Sequence, residues 1–373
     1  METKKKIFFL LYSMHVGGVE KSFASLLSVI PRDKYDIHVG LVLPEGDLMS
    51  LLPADVKVHH VTDLAERWQE LKDPPLSTIK NYAIKGLYMK TLYAFVLYLI
   101  CKLQRSYLWW VEYLLKDTEG INESFDIAVA YAGPSTDIDY YICNKVKALR
   151  KVGWVHFDIS IFNIDKKATA KYYRQYDSIY VVSETGLNIF NDTFPEFRNK
   201  TKVFHNVVST AQIKEQAKTG ETYDDDYKGK RLLTVGRISA EKGQRVAIQA
   251  LKMLVDKGYD IHWYFVGEGN DLQNCQEDIK KLGLTAYVTF LGTKINPYAF
   301  MRDCDVYVQP SRHEGFCITL AEALCFGNPI VSTDFTGARE QLESRNNGVV
   351  VGMDASHIAN GVEEALNLYR KEK

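Results

Sequence analysis

From Ile7 to Ser332 short apolar segments recur between stretches with helical apolar spacing, and the polar run Ser209 to Lys230 divides the series in two. Ile7-Phe-Phe-Leu-Leu-Tyr12 is apolar on consecutive residues, the pattern of a strand covered on both faces, and Gly17-Gly18 then turns into an amphipathic stretch, Val19 to Ile30. Ile37 to Leu43, Val56 to Val61, Phe125 to Tyr131, Lys151 to His156 and Ser178 to Val182 continue the strands. A second series runs through strands at Arg231 to Val235, Ile261 to Val266, Val288 to Leu291, Val306 to Gln309 and Ile330 to Ser332. Helices are expected between them, near Gln244 to Lys257, Leu272 to Leu282, Tyr298 to Cys304 and Ile318 to Phe326. Strands separated by helical patterns specify an α/β chain with two mostly parallel, doubly wound sheets.

The 373 residues suit two domains with substantial cores. Residues 1–206 are expected to form the first and 231–354 the second, with 207–230 as a linker containing a short helix and 355–373 as a helix packing back onto the first. A formal charge of -1 offers no general attraction for nucleic acid, so any anion must be met by local chemistry. Six scattered cysteines without a Cys-x-x-Cys pair read as reduced thiols, not as a zinc site or a disulfide framework. The opening Met1 to Tyr12 reads as a first strand, not a signal peptide. A cytoplasmic location is expected.

Two loops carry charge where such sheets bind ligands, at the carboxyl ends of strands. Gly236-Arg237-Ile-Ser-Ala-Glu241-Lys242-Gly243 follows one strand, and its Arg and Lys suit a diphosphate, one by forking two oxygens and the other as a mobile point charge. Ser311-Arg-His-Glu314-Gly315-Phe316-Cys317-Ile318 follows another and enters a helix whose first amides and dipole favour an anion. Glu314 and Glu322 bracket that helix start. If wholly helical, eight residues span about 12 Å, long for an acid and a nucleophile on one bond but apt for the two ends of an extended ligand. A sugar nucleotide has that form.

Gly236-Arg237 with Glu241-Lys242-Gly243, Gly267-Glu268-Gly269 after a strand, and the Glu-x7-Glu element Glu314 to Glu322 resemble the nucleotide-sugar domain of retaining GT-B glycosyltransferases of family 4, the glycosyl transferases group 1. The likeness covers most of Arg231 to Leu366 and includes Pro329 to Ser332, Gly337 to Glu340 and Asn347-Gly348. The first half resembles the family through Gly17-Gly18-x-Glu20, His156 and Asn206, and the chain departs from its pattern at Val207 and Thr336. The resemblance implies a GT-B fold, two Rossmann-like domains facing a central cleft, with the acceptor on the first and the nucleotide sugar on the second.

It further implies Arg237 and Lys242 on the donor diphosphate, Glu322 on ribose hydroxyls and Glu314 near the transferred sugar. Gly267, Gly315 and the amides of Phe316, Cys317 and Ile318 would lie along the donor, with His156 facing the sugar and Gly17 and Gly18 letting a loop approach closely. No Asp-x-Asp stands in a donor-site context, so no metal and no cofactor besides the donor are expected.

Leu76 to Lys116 breaks the alternation with interleaved aromatic and basic residues, and Glu112 is its only acidic residue. Its apolar centre, Thr91 to Cys101, is too short to span a bilayer, which needs about 20 residues. The segment reads as a helix pair lying at an anionic membrane surface, or as long helices covering the first sheet with their rings in the core. With it the expected function is transfer of a sugar, from a UDP-sugar ahead of a GDP-sugar, to a saccharide or polyprenyl-linked oligosaccharide acceptor in bacterial surface polysaccharide synthesis. The competing readings are a sugar-nucleotide epimerase or phosphorylase on the same fold, and a non-catalytic binding module.

Overall fold

A computed structural model describes residues 3–371 apart from 163 and 344, with side chains as far as 367. The chain divides into two compact units, Met1–Val182 with Gly186–His205, and Ser183–Thr185 with Asn206–Lys373.

In the first unit seven strands, β1 (Lys5–Leu11), β2 (Tyr35–Leu41), β3 (Lys57–His60), β4 (Ser124–Ala130), β5 (Lys147–Val155), β6 (Ser178–Val181) and β7 (Thr201–Val203), form one sheet in the order β3-β2-β1-β4-β5-β6-β7. Every pairing is parallel, with Phe8 opposite His38 on one side and Ala128 on the other. Helices cover both faces, and this is why β1 is apolar on consecutive residues: Phe8 and Leu10 join the large core with Phe125, Tyr172 and Phe190. Phe9 turns the other way against Phe23 of the helix Gly18–Val29.

The second sheet has six parallel strands, β8 (Lys230–Val235), β9 (Ile261–Val266), β10 (Val288–Phe290), β11 (Val306–Gln309), β12 (Ile330–Thr333) and β13 (Gly348–Val351), in the order β10-β9-β8-β11-β12-β13. Successive residues serve opposite faces. Leu232, Trp263 and Phe265 pack with the helix Gln244–Asp256, whereas Leu233, Tyr264 and Val266 pack with the helix Tyr298–Asp303. Trp263 is fully buried, and its indole N–H is satisfied by Thr234 Oγ1 at 3.0 Å, which in turn donates to the Val308 carbonyl at 2.8 Å.

The linker expected over 207–230 holds a short helix, Thr210–Thr219, capped by Ser209; it buries Ile213 and Ala217, and Arg302 donates to the Ala217 carbonyl. One expectation needs correction. The helix Ala355–Lys371 buries Ile358, Ala359, Val362, Ala365 and Leu366 in the core of the second unit, against Gln244–Asp256, in place of the packing expected on the first. Two short strands at sheet edges, β7 and β13, were not expected; β7 has Lys202 in its middle and shows no apolar run.

Residues 76–116 are helical, in Pro75–Ile84, Tyr88–Gln104 and Leu108–Leu115, and form a small core of their own around Ile79, Leu97, Tyr98, Cys101 and Trp110. The rings therefore divide: Tyr98 and Trp110 are inside, whereas Tyr88, Tyr93, Tyr107 and Trp109 are exposed. No described helix is long and apolar enough to cross a membrane.

Candidate active site

The candidate donor residues of the second unit lie on loops that leave the carboxyl ends of β8, β9 and β11. After β8 the chain turns through Gly236 and a short 3-10 turn, Ala240–Lys242, to Gly243. Gly243 has φ +73°, and a Cβ there would sit 2.0 Å from the Pro310 carbonyl oxygen. Only glycine meets both demands, and it brings the start of the following helix against the loop after β11. The Arg312 amide donates to the Glu241 carbonyl at 2.8 Å and ties the two loops together. Gly267 plays the same part after β9, with φ +134° and a would-be Cβ 2.1 Å from the Gly236 oxygen.

This approach places Lys242 on Glu314. Their Nζ to Oε1 distance is 2.5 Å, and the two side chains are 22% and 10% exposed. Ser311 Oγ donates to the same carboxylate oxygen at 2.8 Å, Gln309 Nε2 donates to Ser311 Oγ at 2.8 Å, and Tyr307 OH donates to Gln309 Oε1 at 2.7 Å. Glu314 is thus held by a chain of buried groups that begins inside the sheet, which fixes the carboxylate without help from a ligand. Burial pulls the Lys242 pKa down, but the Glu314 carboxylate outweighs it and holds the ammonium above its ordinary range. In the free protein the cation is already neutralised.

Cys317 caps the next helix, Ile318–Ala323, with φ 58° and ψ 80° and no side-chain cap bond; the Leu320 and Ala321 amides donate to its carbonyl, and the helix start lies at the Ile318 and Thr319 amides ahead of them. Among the described residues it shares a positive φ outside glycine only with Arg105. Such backbone strain persists only where the surroundings impose it. Gly315 and Phe316 are held from behind, the first carbonyl by Ser183 Oγ at 3.3 Å and the second by the Gln341 amide. Glu322 lies one turn into the helix, only 4% exposed, and accepts from Tyr298 OH at 2.8 Å. Burial and that carboxylate together drive the Tyr298 pKa far up, so the phenol stays a donor. Arg237 differs from the rest: its side chain is 70% exposed and reaches Glu241 only at 3.8 Å.

Gly17, Gly18 and His156 belong to the first unit. Gly17 caps the helix Gly18–Val29 with extended backbone, a Cβ on it would meet only the flexible end of Glu20, and one on Gly18 would meet nothing within 4 Å. No obstruction within the protein requires glycine at either. His156 packs against Tyr131 and Trp154, and burial lowers its pKa to about 3, so the ring is neutral. Its Nε2 is buried without a hydrogen-bond partner.

Motif spacing did not reveal Tyr298, Ser311, Gln309 and Tyr307, which orient the two glutamates. Nor did it reveal a buried group just past the carboxyl ends of β1 and β4, where Tyr12 OH donates to Asp137 Oδ1 at 2.7 Å and Tyr176 OH donates to Asp139. Burial raises the Asp139 pKa to about 7. The one described grouping spaced to hold a metal ion, His38, His59 and Glu123, lies elsewhere in the first unit.

Two doubly wound parallel sheets in one chain define the class, a GT-B protein, and HepE of Anabaena, in complex with UDP-glucose, has the same fold: it matches 98% of this chain and 91% of its own with a TM-score of 0.65 at 18% identity. Residues 217–373 match the model of the family described as glycosyl transferases group 1. Among curated relatives, an uncharacterised glycosyltransferase of Methanocaldococcus jannaschii is 31% identical over 179 residues, 46% of this chain and 44% of its own length. The capsular polysaccharide biosynthesis glycosyltransferase CapM of Staphylococcus aureus is 30% identical over 136 residues, 36% of each chain. The chain thus spans less than half the length of either relative.

Proposed function

We propose that the protein is a retaining glycosyltransferase that moves a sugar from a nucleoside diphosphate sugar, UDP-linked in the first instance, to a saccharide acceptor. The observation that carries this reading is the Lys242–Glu314 pair, held by buried groups beside a helix start and followed by the buried Glu322. A cation, a helix start and a buried carboxylate in that order match phosphate, then ribose. CapM, by its name, works in capsular polysaccharide synthesis, and HepE has been seen with UDP-glucose, which supports the donor class and the setting.

In this reading Arg237 and Lys242 neutralise the diphosphate, the amides of Phe316, Cys317 and Ile318 with Gly315 and Gly267 line it, Glu322 accepts from the ribose and Glu314 from the sugar. As the bond from the anomeric carbon to the β-phosphate oxygen breaks, its electron pair stays on phosphate, where the cations and helix start stabilise it. The acceptor hydroxyl attacks the face the phosphate leaves and gives its proton to the departing phosphate oxygen, so the configuration is retained. No metal is needed in this scheme. We assign the acceptor to the first unit, with His156 offering its free Nε2 to a sugar hydroxyl and Gly17 and Gly18 leaving room beside it. A polyprenyl-linked oligosaccharide at the cytoplasmic face of the membrane is the acceptor that residues 76–116 favour.

The test measures UDP release from UDP-sugars with and without a lipid-linked oligosaccharide. Acceptor-dependent release, abolished by Lys242→Ala and Glu322→Ala, is expected. Donor consumption independent of acceptor would favour an epimerase, consumption dependent on free phosphate a phosphorylase, and binding without turnover a non-catalytic module.

A further inference from the structure

The helix Tyr88–Gln104 is apolar on two sides, and only one of them has a partner. Ala94, Leu97, Tyr98 and Cys101 face inward to the small core. Met89, Leu92, Tyr93, Val96, Leu99 and Leu103 are all exposed, Met89 and Leu103 by 80% and 85%. At about 100° per residue these six cover a stripe of about 120°, the width with which a surface helix normally meets a core. Here it meets solvent. Ile84 at one end and Tyr107 and Trp109 at the other extend the exposed apolar surface beyond the helix. A continuous patch of this kind on a soluble chain marks an interaction surface, since water gains by its removal.

The charges around the stripe say what covers it. Lys80, Lys85, Lys90, Lys102 and Arg105 are exposed, and between Asp73 and Glu112 the chain has no acidic residue. A second copy of the same face would bring ten cations together without a counter-charge. An anionic lipid surface supplies the counter-charge and an apolar layer beneath it. Aromatic residues such as Tyr107 and Trp109 suit the boundary between the two.

We propose that the exposed face of the helix Tyr88–Gln104, with Trp109, docks the protein flat on an anionic bilayer, the apolar stripe entering the acyl boundary and the five cations lying in the headgroup layer. The small core behind the helix makes the face a rigid platform, so docking orders little of the chain and keeps the first unit at a fixed height on the membrane. The proposal extends the lipid-linked acceptor read above, yet the surface stands or falls apart from the chemistry.

The test is flotation of the full-length protein with vesicles of phosphatidylcholine alone or with roughly 30% phosphatidylglycerol, since anionic lipid attracts basic segments within a Debye length. Wild type should float at least about tenfold better with the anionic vesicles, and less well at high salt. Leu92→Asp with Leu99→Asp should lose about tenfold or more of that recovery with an unchanged melting temperature, because both sites are exposed. Lys85→Glu with Lys90→Glu should lose the preference for anionic vesicles. Trp109 fluorescence, taken as the difference between wild type and Trp109→Phe, should shift to the blue on binding. Turnover on a soluble acceptor should be the same in the Asp variant, which separates this surface from the transfer site. Wild type left in the soluble fraction with both vesicles, or floating equally in the Asp variant, overturns the proposal. So does a dimer in sedimentation that the Asp variant dissociates and that ignores vesicles.

Discussion

Replacing Glu314 by Gln asks whether the pair with Lys242 holds back the donor site as well as building it. At 2.5 Å the attraction is about 7 kcal/mol with an effective dielectric of 20, and desolvation of both ions cancels most of it. With the side chains 22% and 10% exposed, the pair lies between a surface bridge and a buried one, so losing the Lys242 cation costs about 2–3 kcal/mol. Gln keeps the shape and an acceptor for Ser311, so Glu314→Gln should cost about half that. It should also release Lys242 and remove a negative charge from beside the diphosphate. UDP affinity should therefore rise, by about three- to tenfold for 0.7–1.4 kcal/mol, while turnover falls by a hundredfold or more for want of the sugar contact. Lys242→Met should weaken UDP and slow turnover together. Calorimetric titration with UDP and single-turnover kinetics separate the two effects. If Glu314→Gln weakens UDP as much as Lys242→Met does, the carboxylate is part of the nucleotide site and the competition argued here is wrong. The Lys242 ammonium does not titrate at ordinary pH. Because the folded pKa of Lys242 is raised, its contribution is fully present below the ordinary value of 10.5 and is lost only as pH climbs through the higher folded value.

Tyr298→Phe should cost about 1.5–3 kcal/mol by removing a hydrogen bond to the buried Glu322 carboxylate, and should weaken UDP. An unchanged melting temperature and unchanged UDP affinity would count against the positioning role. Asp139 binds its proton more tightly when folded, at about 7 against 3.8, so stability should decline by roughly 4 kcal/mol as pH rises from 4 to 7. Asp139→Asn should flatten that slope in denaturant titrations, and equal slopes in both proteins would remove Asp139 as the cause. Val362→Asp puts a charge at a fully buried site on the helix Ala355–Lys371 and should unfold the second unit at lower temperature than the first. A single unshifted transition in calorimetry would contradict that packing.

The interior strands were legible because a strand covered on both faces is apolar on consecutive residues, as Ile7 to Leu11 and Trp263 to Val266 are. Thr201–Val203, with Lys202 in its middle, lies at a sheet edge, where one neighbour suffices and no such run is demanded. The spacing of Ile358, Val362 and Ala365 announces an amphipathic helix but not the surface it covers, and so its partner was misread. At the candidate site the charged ends of the motif were visible at fixed spacing. Tyr298, 24 residues before Glu322, was not, because only the winding of the sheet brings its helix there. Residues 76–116 were ambiguous between core and membrane because their central helix is apolar on two sides, one packed in a small core and one exposed.

The partnership of Gln244–Asp256 with Ala355–Lys371 also sets an order of events. Lys257 pairs with Glu363 across 106 residues of sequence. During synthesis at about 5–20 residues per second, the apolar side of the earlier helix waits for several seconds until its cover is made. Leu251 and Leu254, fully buried at the end, spend that interval in water or on a chaperone. The first unit, complete by His205, can fold before any of this begins, so a ribosome stalled anywhere between the two helices holds one folded unit and one that cannot yet close.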